Sequence, residues 1–227
     1  MVRQSIKDFL GFIQYTHVVD LISGFNIFRG QPAEKQLVPS IARKDPSVDT
    51  TSMEKELLNQ LQLYGASLLG SGLKQLELLV LARHFGLKTR LLDWTSNPLA
   101  ALWFACSAQN WEEDVCVYAL DAESLLQKDV YEKDPFSISE LLVFQPRLND
   151  PRLIAQHSWF TLHPYLSTDQ RFISLESDHE KNLTEIRIPA ASRHDILHSL
   201  DLHGISIRTL FPDLQGLCQY LNMKHDV

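Results

Sequence analysis

Apolar residues fall on one side of a helical period over the first 25 positions, at Ile6, Phe9, Leu10, Ile13 and Leu21. This predicts an N-terminal helix within residues 1–24, opened by a capping pair of Ser5 and Asp8 and stopped at Gly24. Phe25–Arg29 reads as a short strand that ends at Gly30, and residues 31–50, with Pro32, Pro39 and Pro46, read as a loop. Leu57, Leu61 and Tyr64 mark a helix over about 52–64. Leu73, Leu76, Val80 and His84 mark another over about 73–85, stopped by Gly86. Leu87–Trp94 reads as a strand. Asn97-Pro98 then gives a cap and a first-turn proline to the run LAALWFACSA, which is apolar almost all round and should lie buried. Val115–Leu120 is a strong strand, with weaker ones expected near 142–145, 159–162, 184–188 and 205–208. Helices over 192–203, bracketed by Ser192 and Gly204, and over 212–222, started by Pro212, close the chain. The pattern predicts a single α+β domain over 25–227 behind the N-terminal helix. Its N-terminal half is helical, and its sheet is mixed or antiparallel.

Composition narrows the function classes. The 227 residues are 44% hydrophobic and 22% charged, as expected of a chain with a large core of its own. A formal net charge of −7 makes nucleic acid an unfavourable partner, because broad phosphate binding relies on Lys and Arg, but it leaves room for a local basic cleft. Cys106, Cys116 and Cys218 form no CxxC pair, so a structural zinc site is not expected and a reducing compartment is. The N-terminus lacks the apolar core of a secretory signal, and no apolar run approaches the ~20 residues of a membrane span. A cytoplasmic protein with no membrane partner and no bound metal is the expectation.

Few catalytic motifs fit. Gly65–Gly72 approaches P-loop spacing, but Ser71 stands where the lysine belongs and Lys74 comes too late. GxSxG and HExxH are absent from the sequence. Two stretches carry more. In Phe28-Arg29-Gly30 a guanidinium ends a strand, placed either in water or to fork onto a phosphate or carboxylate, with Gly30 allowing a sharp turn or a close approach. In Thr89–Thr95, strand alternation sends Arg90, Leu92 and Trp94 to one face and Thr89, Leu91 and Asp93 to the other. Arg90 and Asp93 thus leave in opposite directions, and each needs its own partner. Asp93 is placed to orient the turn at Thr95-Ser96-Asn97, while Arg90 is free to reach another segment or a ligand. The helix start near Ser96–Leu99 offers unpaired N–H groups to an anion. A buried polar network that fixes the strand-to-helix turn is the competing account.

Taken in order, five stretches resemble the FRG domain family, which is named for its Phe/Tyr-Arg-Gly motif. They are Phe28-Arg29-Gly30-Gln31, Leu37–Arg43, RHFGLKTRLLDWTSNPLAALWFA (83–105), Ile154-Ala155-Gln156 with Phe160-Thr161, and Leu210–Gly216. The resemblance runs from about residue 25 to 220. One departure is Ser158, where members usually have glycine two residues after the motif glutamine. The family resemblance implies bacterial or phage genomes and toxin or defence settings. The order Arg29, then Thr95-Ser96 with Ala100-Ala101, then Gln156 is also similar to the plan of ADP-ribosyltransferase-like folds, so the domain is expected to share that fold.

That second resemblance implies NAD as ligand or substrate, and an effector of ADP-ribosyltransferase or NAD glycohydrolase type. Arg29 would hold a phosphate or ribose hydroxyl; Arg90, Ser96 and Asn97 a second phosphate; Trp94 or Phe28 an aromatic ring. Gln156 and Thr95 would stand near the ribose, and His84 would assist or orient Asp93. Transferases of this plan carry a late glutamate, for which Glu176 and Glu185 are candidates by position, with Asp93 as the substitute. Two alternatives stay open: a noncatalytic nucleotide-sensing or protein-interaction module, with an antitoxin or target as partner, and a metal-dependent nuclease built on Asp93.

Overall fold

In a computed structural model, which describes residues 1–33, 35–70 and 72–225, seven strands form one mixed sheet. They are β1 (Val2–Ser5), β2 (Asn26–Pro32), β3 (Leu91–Thr95), β4 (Val115–Asp121), β5 (Leu142–Phe144), β6 (Ser158–Leu162) and, near the C-terminus, β9 (Leu183–Ile188). Their spatial order is β1-β9-β4-β2-β3-β6-β5, and β1 alone runs parallel to its neighbour. A separate two-stranded pair joins β7 (Tyr165–Leu166) to β8 (Arg171–Phe172). The helices are α1 (Phe9–Ile22), α2 (Thr51–Tyr64), α3 (Gln75–His84), α4 (Pro98–Cys106), α5 (Pro151–Ala155), α6 (Leu175–Asp178), α7 (Arg193–Leu202), α8 (Ile207–Leu210) and α9 (Leu214–His225). The chain is thus α+β, as its hydrophobic pattern predicts.

The apolar positions sort onto two faces. On one, Phe28, Val117 and Ile186 pack with Phe12 of α1, Ala101 and Leu102 of α4 and Ile196 of α7. The same face of the sheet continues past β3, where Leu91, Phe160 and Phe144 pack with Leu58 of α2 and Leu76 and Leu79 of α3. Opposite register at Phe28 and Thr95 sets this shared face, since directly paired residues project to the same side. On the other face, Ile27, Leu92, Trp94 and Leu120 form a third core with Leu37 and Leu175. The helix-covered face therefore carries two apolar clusters, and β2 and β3 meet along the line between them.

Several sequence expectations are corrected here. Ser5 ends a strand rather than opening α1; Asp8 alone is the cap, accepting from the Gly11 N–H at 2.8 Å. β1 carries no period of its own, and only its pairing with β9 makes it a strand. The strand expected from Leu87 begins at Leu91, because the Arg90 N–H donates to the Glu54 carboxylate at 2.7 Å. Residues 205–208 start helix α8, where the Ser206 N–H donates to Thr209 Oγ1 at 2.9 Å. α9 begins at Leu214, with Asp213 Oδ1 accepting from the Gly216 N–H at 2.8 Å. The sequence pattern does not mark α5, α6, β7 and β8, all being five residues or shorter. Ser71, on which the P-loop comparison turns, lies outside the described residues. No helix among them is long and apolar enough to cross a membrane.

Candidate functional site

β2 and β3 pair at one position, Phe28 with Thr95, and then part. Beyond that pair the β3 carbonyls have no ladder partner on the β2 side. The Arg29 guanidinium supplies one: Nη1 donates to the Asp93 carbonyl at 2.7 Å, and Nε donates to Gln31 Oε1 at 3.0 Å. A cleft of about 420 Å³ opens there, within the range of small-molecule sites.

Gly30 makes the close packing possible. A Cβ at that position would lie 1.9 Å from the Ala101 carbonyl oxygen, so β2 can lie against α4 only without a side chain there. The close approach expected of this glycine is thus made by a helix of the same chain.

The cleft is strongly cationic. Arg29, Lys35, Arg43, Arg83 and Arg152 line it, and among the described residues Asp93 is the single carboxylate that does so. In a chain of net charge −7, this concentration of positive charge is a local feature that the total conceals. Asp93 does not orient the turn after it. Arg83 holds it in a fork, with Nε 3.0 Å from both carboxylate oxygens and Nη2 2.5 Å from Oδ2, while Arg29 Nη1 stands 3.6 Å from Oδ2. Burial alone would raise the Asp93 pKa, but Arg83 and then Arg29 outweigh it and hold it below the ordinary carboxylate value. Burial pushes Arg29 down to about 10, with Arg43 and Arg83 adding repulsion against the attraction of Asp93, so Arg29 stays charged at neutral pH. Arg83 also donates to Ser40 Oγ at 3.3 Å. The loop that brings Ser40 and Arg43 here is pinned by buried Leu37, Val38 and Ala42.

A second group of cleft residues comes from the helices. Arg152 and Gln156 belong to α5 and its cap, Phe104 to α4, and Phe211 follows α8. Phe104 and Phe211 meet edge to face at 6.1 Å, and the Arg152 guanidinium lies 5.4 Å from the Phe211 ring centre. Gln156 Nε2 donates to the Leu210 carbonyl at 3.1 Å. His157, between the cleft residues Gln156 and Ser158, has φ +48°, a left-handed conformation uncommon for a residue with a side chain. The left-handed residue thus sits one position before the Ser158 departure, and Ser158 itself is extended in β6 opposite Thr95.

Eight of the residues that the sequence marks are brought together: Phe28, Arg29, Gly30, His84, Asp93, Trp94, Thr95 and Gln156 all line the cleft. Phe28 and Trp94 are 4% and 3% exposed, each spent in the core on its own face of the sheet, so the rings with free surface are Phe104 and Phe211. His84 stands 3.4 Å from Asp150 rather than on Asp93. Arg90, Ser96 and Asn97 do not line the cleft. Arg90 is 1% exposed and pairs with Glu54 at 2.8 Å, while Asn97 Oδ1 caps α4 through the Leu99 N–H at 3.0 Å. Glu176 accepts from the Leu37 N–H, and Glu185 takes the Cys116 thiol and Arg3, so neither acid candidate is at the cleft. Lys35, Arg43, Arg83 and Arg152 also line the cleft, and none was among the residues marked from the sequence. Arg43 and Arg83 stand inside the quoted motifs, where a signal existed; nothing local marks Arg152. Among the described residues, no three His, Cys, Asp or Glu side chains are grouped to hold a metal.

No curated protein and no solved structure matches the chain. Residues 25–114 match the model of the FRG domain, a span that contains β2, β3 and α4 together with Arg29, Lys35, Arg43 and Arg83, but neither Gln156 nor Phe211. The parted strands and most of the positive charge between them fall inside that match, and on this ground the chain carries an FRG domain.

Proposed function

We propose that the cleft binds a nucleotide through its phosphates, with NAD as the ligand, and that the protein is an NAD-consuming effector of ADP-ribosyltransferase or NAD glycohydrolase type. The observation that carries the reading is the set of five basic side chains around one carboxylate. After Asp93 is satisfied by Arg83, a surplus of positive charge is left for an anion. Guanidiniums suit phosphate oxygens, which they engage in forked pairs. The partly exposed Phe104 and Phe211 supply apolar surface for a ring beside them.

In the cleavage step the bond from ribose C1′ to the nicotinamide nitrogen breaks and its electron pair leaves with nicotinamide. A water or acceptor oxygen then adds to C1′ and loses a proton. Asp93, kept ionised, is the group of this chain that would face the cationic ribose; Thr95 and Gln156 would position it. The bacterial or phage toxin and defence setting, and a protein partner such as an antitoxin or target, come with the family resemblance. A nucleotide-binding module without turnover is the second reading. The fork from Arg83 favours it, because a carboxylate so held is less free to act on a ligand.

Mixing the purified protein with NAD tests the proposal. Binding by calorimetry with nicotinamide release supports the enzyme; binding without release supports the module. Failure to bind either NAD or inorganic pyrophosphate sinks both.

A further inference from the structure

The motif Leu210–Gly216 borders the cleft, and its Phe211 forms a wall of it. Three links tie this segment to α5. Arg152 Nε donates to Asp213 Oδ2 at 2.5 Å, with Nη2 on the same oxygen; the Arg152 guanidinium lies over Phe211; and Gln156 donates to the Leu210 carbonyl. α9, which follows, buries only Gly216. Its attachments are residues 210–216 and the Arg208 guanidinium, which lies 5.2 Å from the Tyr220 ring centre. Arg152 and Asp213 are partly exposed, at 27% and 33% of their side chains, so the pair can exchange partners with a solute. Arg152 is bonded to Asp213 and not to the Asp93 network, although both line or border one cleft.

Resting on the nucleotide reading above, we propose that Arg152 is a second phosphate-binding position of the cleft and that Asp213 is its internal competitor. A phosphate bound there takes the guanidinium from Asp213 and loosens the segment that carries α9. By reciprocity, weakening the Arg152–Asp213 pair strengthens ligand binding. Asp213 Oδ1 caps α9 through the Gly216 N–H, and asparagine keeps that oxygen, so Asp213→Asn removes the competing charge while leaving the cap.

The test is calorimetric titration of the full chain with NAD and with inorganic pyrophosphate. Asp213→Asn is expected to tighten binding about three- to tenfold, and Arg152→Gln to weaken it by about tenfold, as for loss of a charged hydrogen bond. The double variant is expected to bind like Arg152→Gln alone, because Asp213 acts only through Arg152. A merely structural role for Asp213 would weaken binding in the single variant instead. Unchanged affinity in Asp213→Asn, or additive effects in the double variant, overturns the competition while leaving the nucleotide reading intact. No binding by the unmodified protein overturns both.

Discussion

Replacing Glu54 by glutamine is expected to cost this protein a large part of its stability without touching the cleft. Glu54 on α2 is fully buried and Arg90 is 1% exposed. The carboxylate accepts from Arg90 Nε at 2.8 Å and from the Arg90 backbone N–H at 2.7 Å; Arg90 Nη2 donates to Thr51 at 3.0 Å, and the guanidinium lies 4.3 Å from the Phe136 ring centre. Glutamine keeps the shape but turns an N–H towards one of these donors and leaves the guanidinium buried without a counter-charge. Breaking such a pair on one side costs about 3–5 kcal/mol. For a chain of this size, ~1 kcal/mol moves the melting temperature by about 2–4 °C. A drop of roughly 6–20 °C is therefore expected in a thermal scan. Arg90→Met should fall by a similar amount. Combining Arg90→Met with Glu54→Leu should recover part of the loss, because the double change removes both buried charges. A melting temperature within about 2 °C of the unmodified protein for Glu54→Gln would contradict this, since on the same scale it leaves under ~1 kcal/mol for the pair.

Arg29→Ala is expected to abolish NAD binding with a small fall in melting temperature, because Asp93 keeps Arg83 and the freed carbonyl faces the cleft; loss of folding would show instead that the guanidinium serves as a strand substitute. Gly30→Ala should be among the most damaging small substitutions, costing about 3 kcal/mol or more by overpacking against Ala101, as read by urea denaturation. His163 is fully buried between Thr161 and the Ile173 carbonyl, and burial pushes it down to about 4. The unfolded chain then binds the proton first, so stability is full above about pH 6.5 and falls by about 3 kcal/mol as the pH drops to about 4. His163→Asn, which can still donate to Ile173, should flatten that part of the stability–pH curve, and an unchanged slope would contradict the assignment.

Elements with a strong period or an unambiguous cap are legible from local pattern alone. The buried α4 follows from an unbroken apolar run behind Asn97-Pro98, and the α3 stop from a glycine that takes φ +91°. Strand alternation also separated Arg90 from Asp93, because a two-residue repeat sends odd and even positions to opposite faces whatever the fold. Where each charge goes was not legible. Arg90 finds Glu54 36 positions away, Asp93 finds Arg83 ten positions back, and Arg152 finds Asp213 61 positions on. Local spacing carries no information about such pairs. The cleft itself exists because β2 and β3 part after one register pair, and that parting depends on which helices each strand must cover: α4 for β2, α2 and α3 for the β3 side. Only folding brings five basic residues scattered over 124 positions, from Arg29 to Arg152, to one site in a chain whose total charge is negative. Net charge is a sum over the chain, whereas an anion responds to the charges within a Debye length of where it binds.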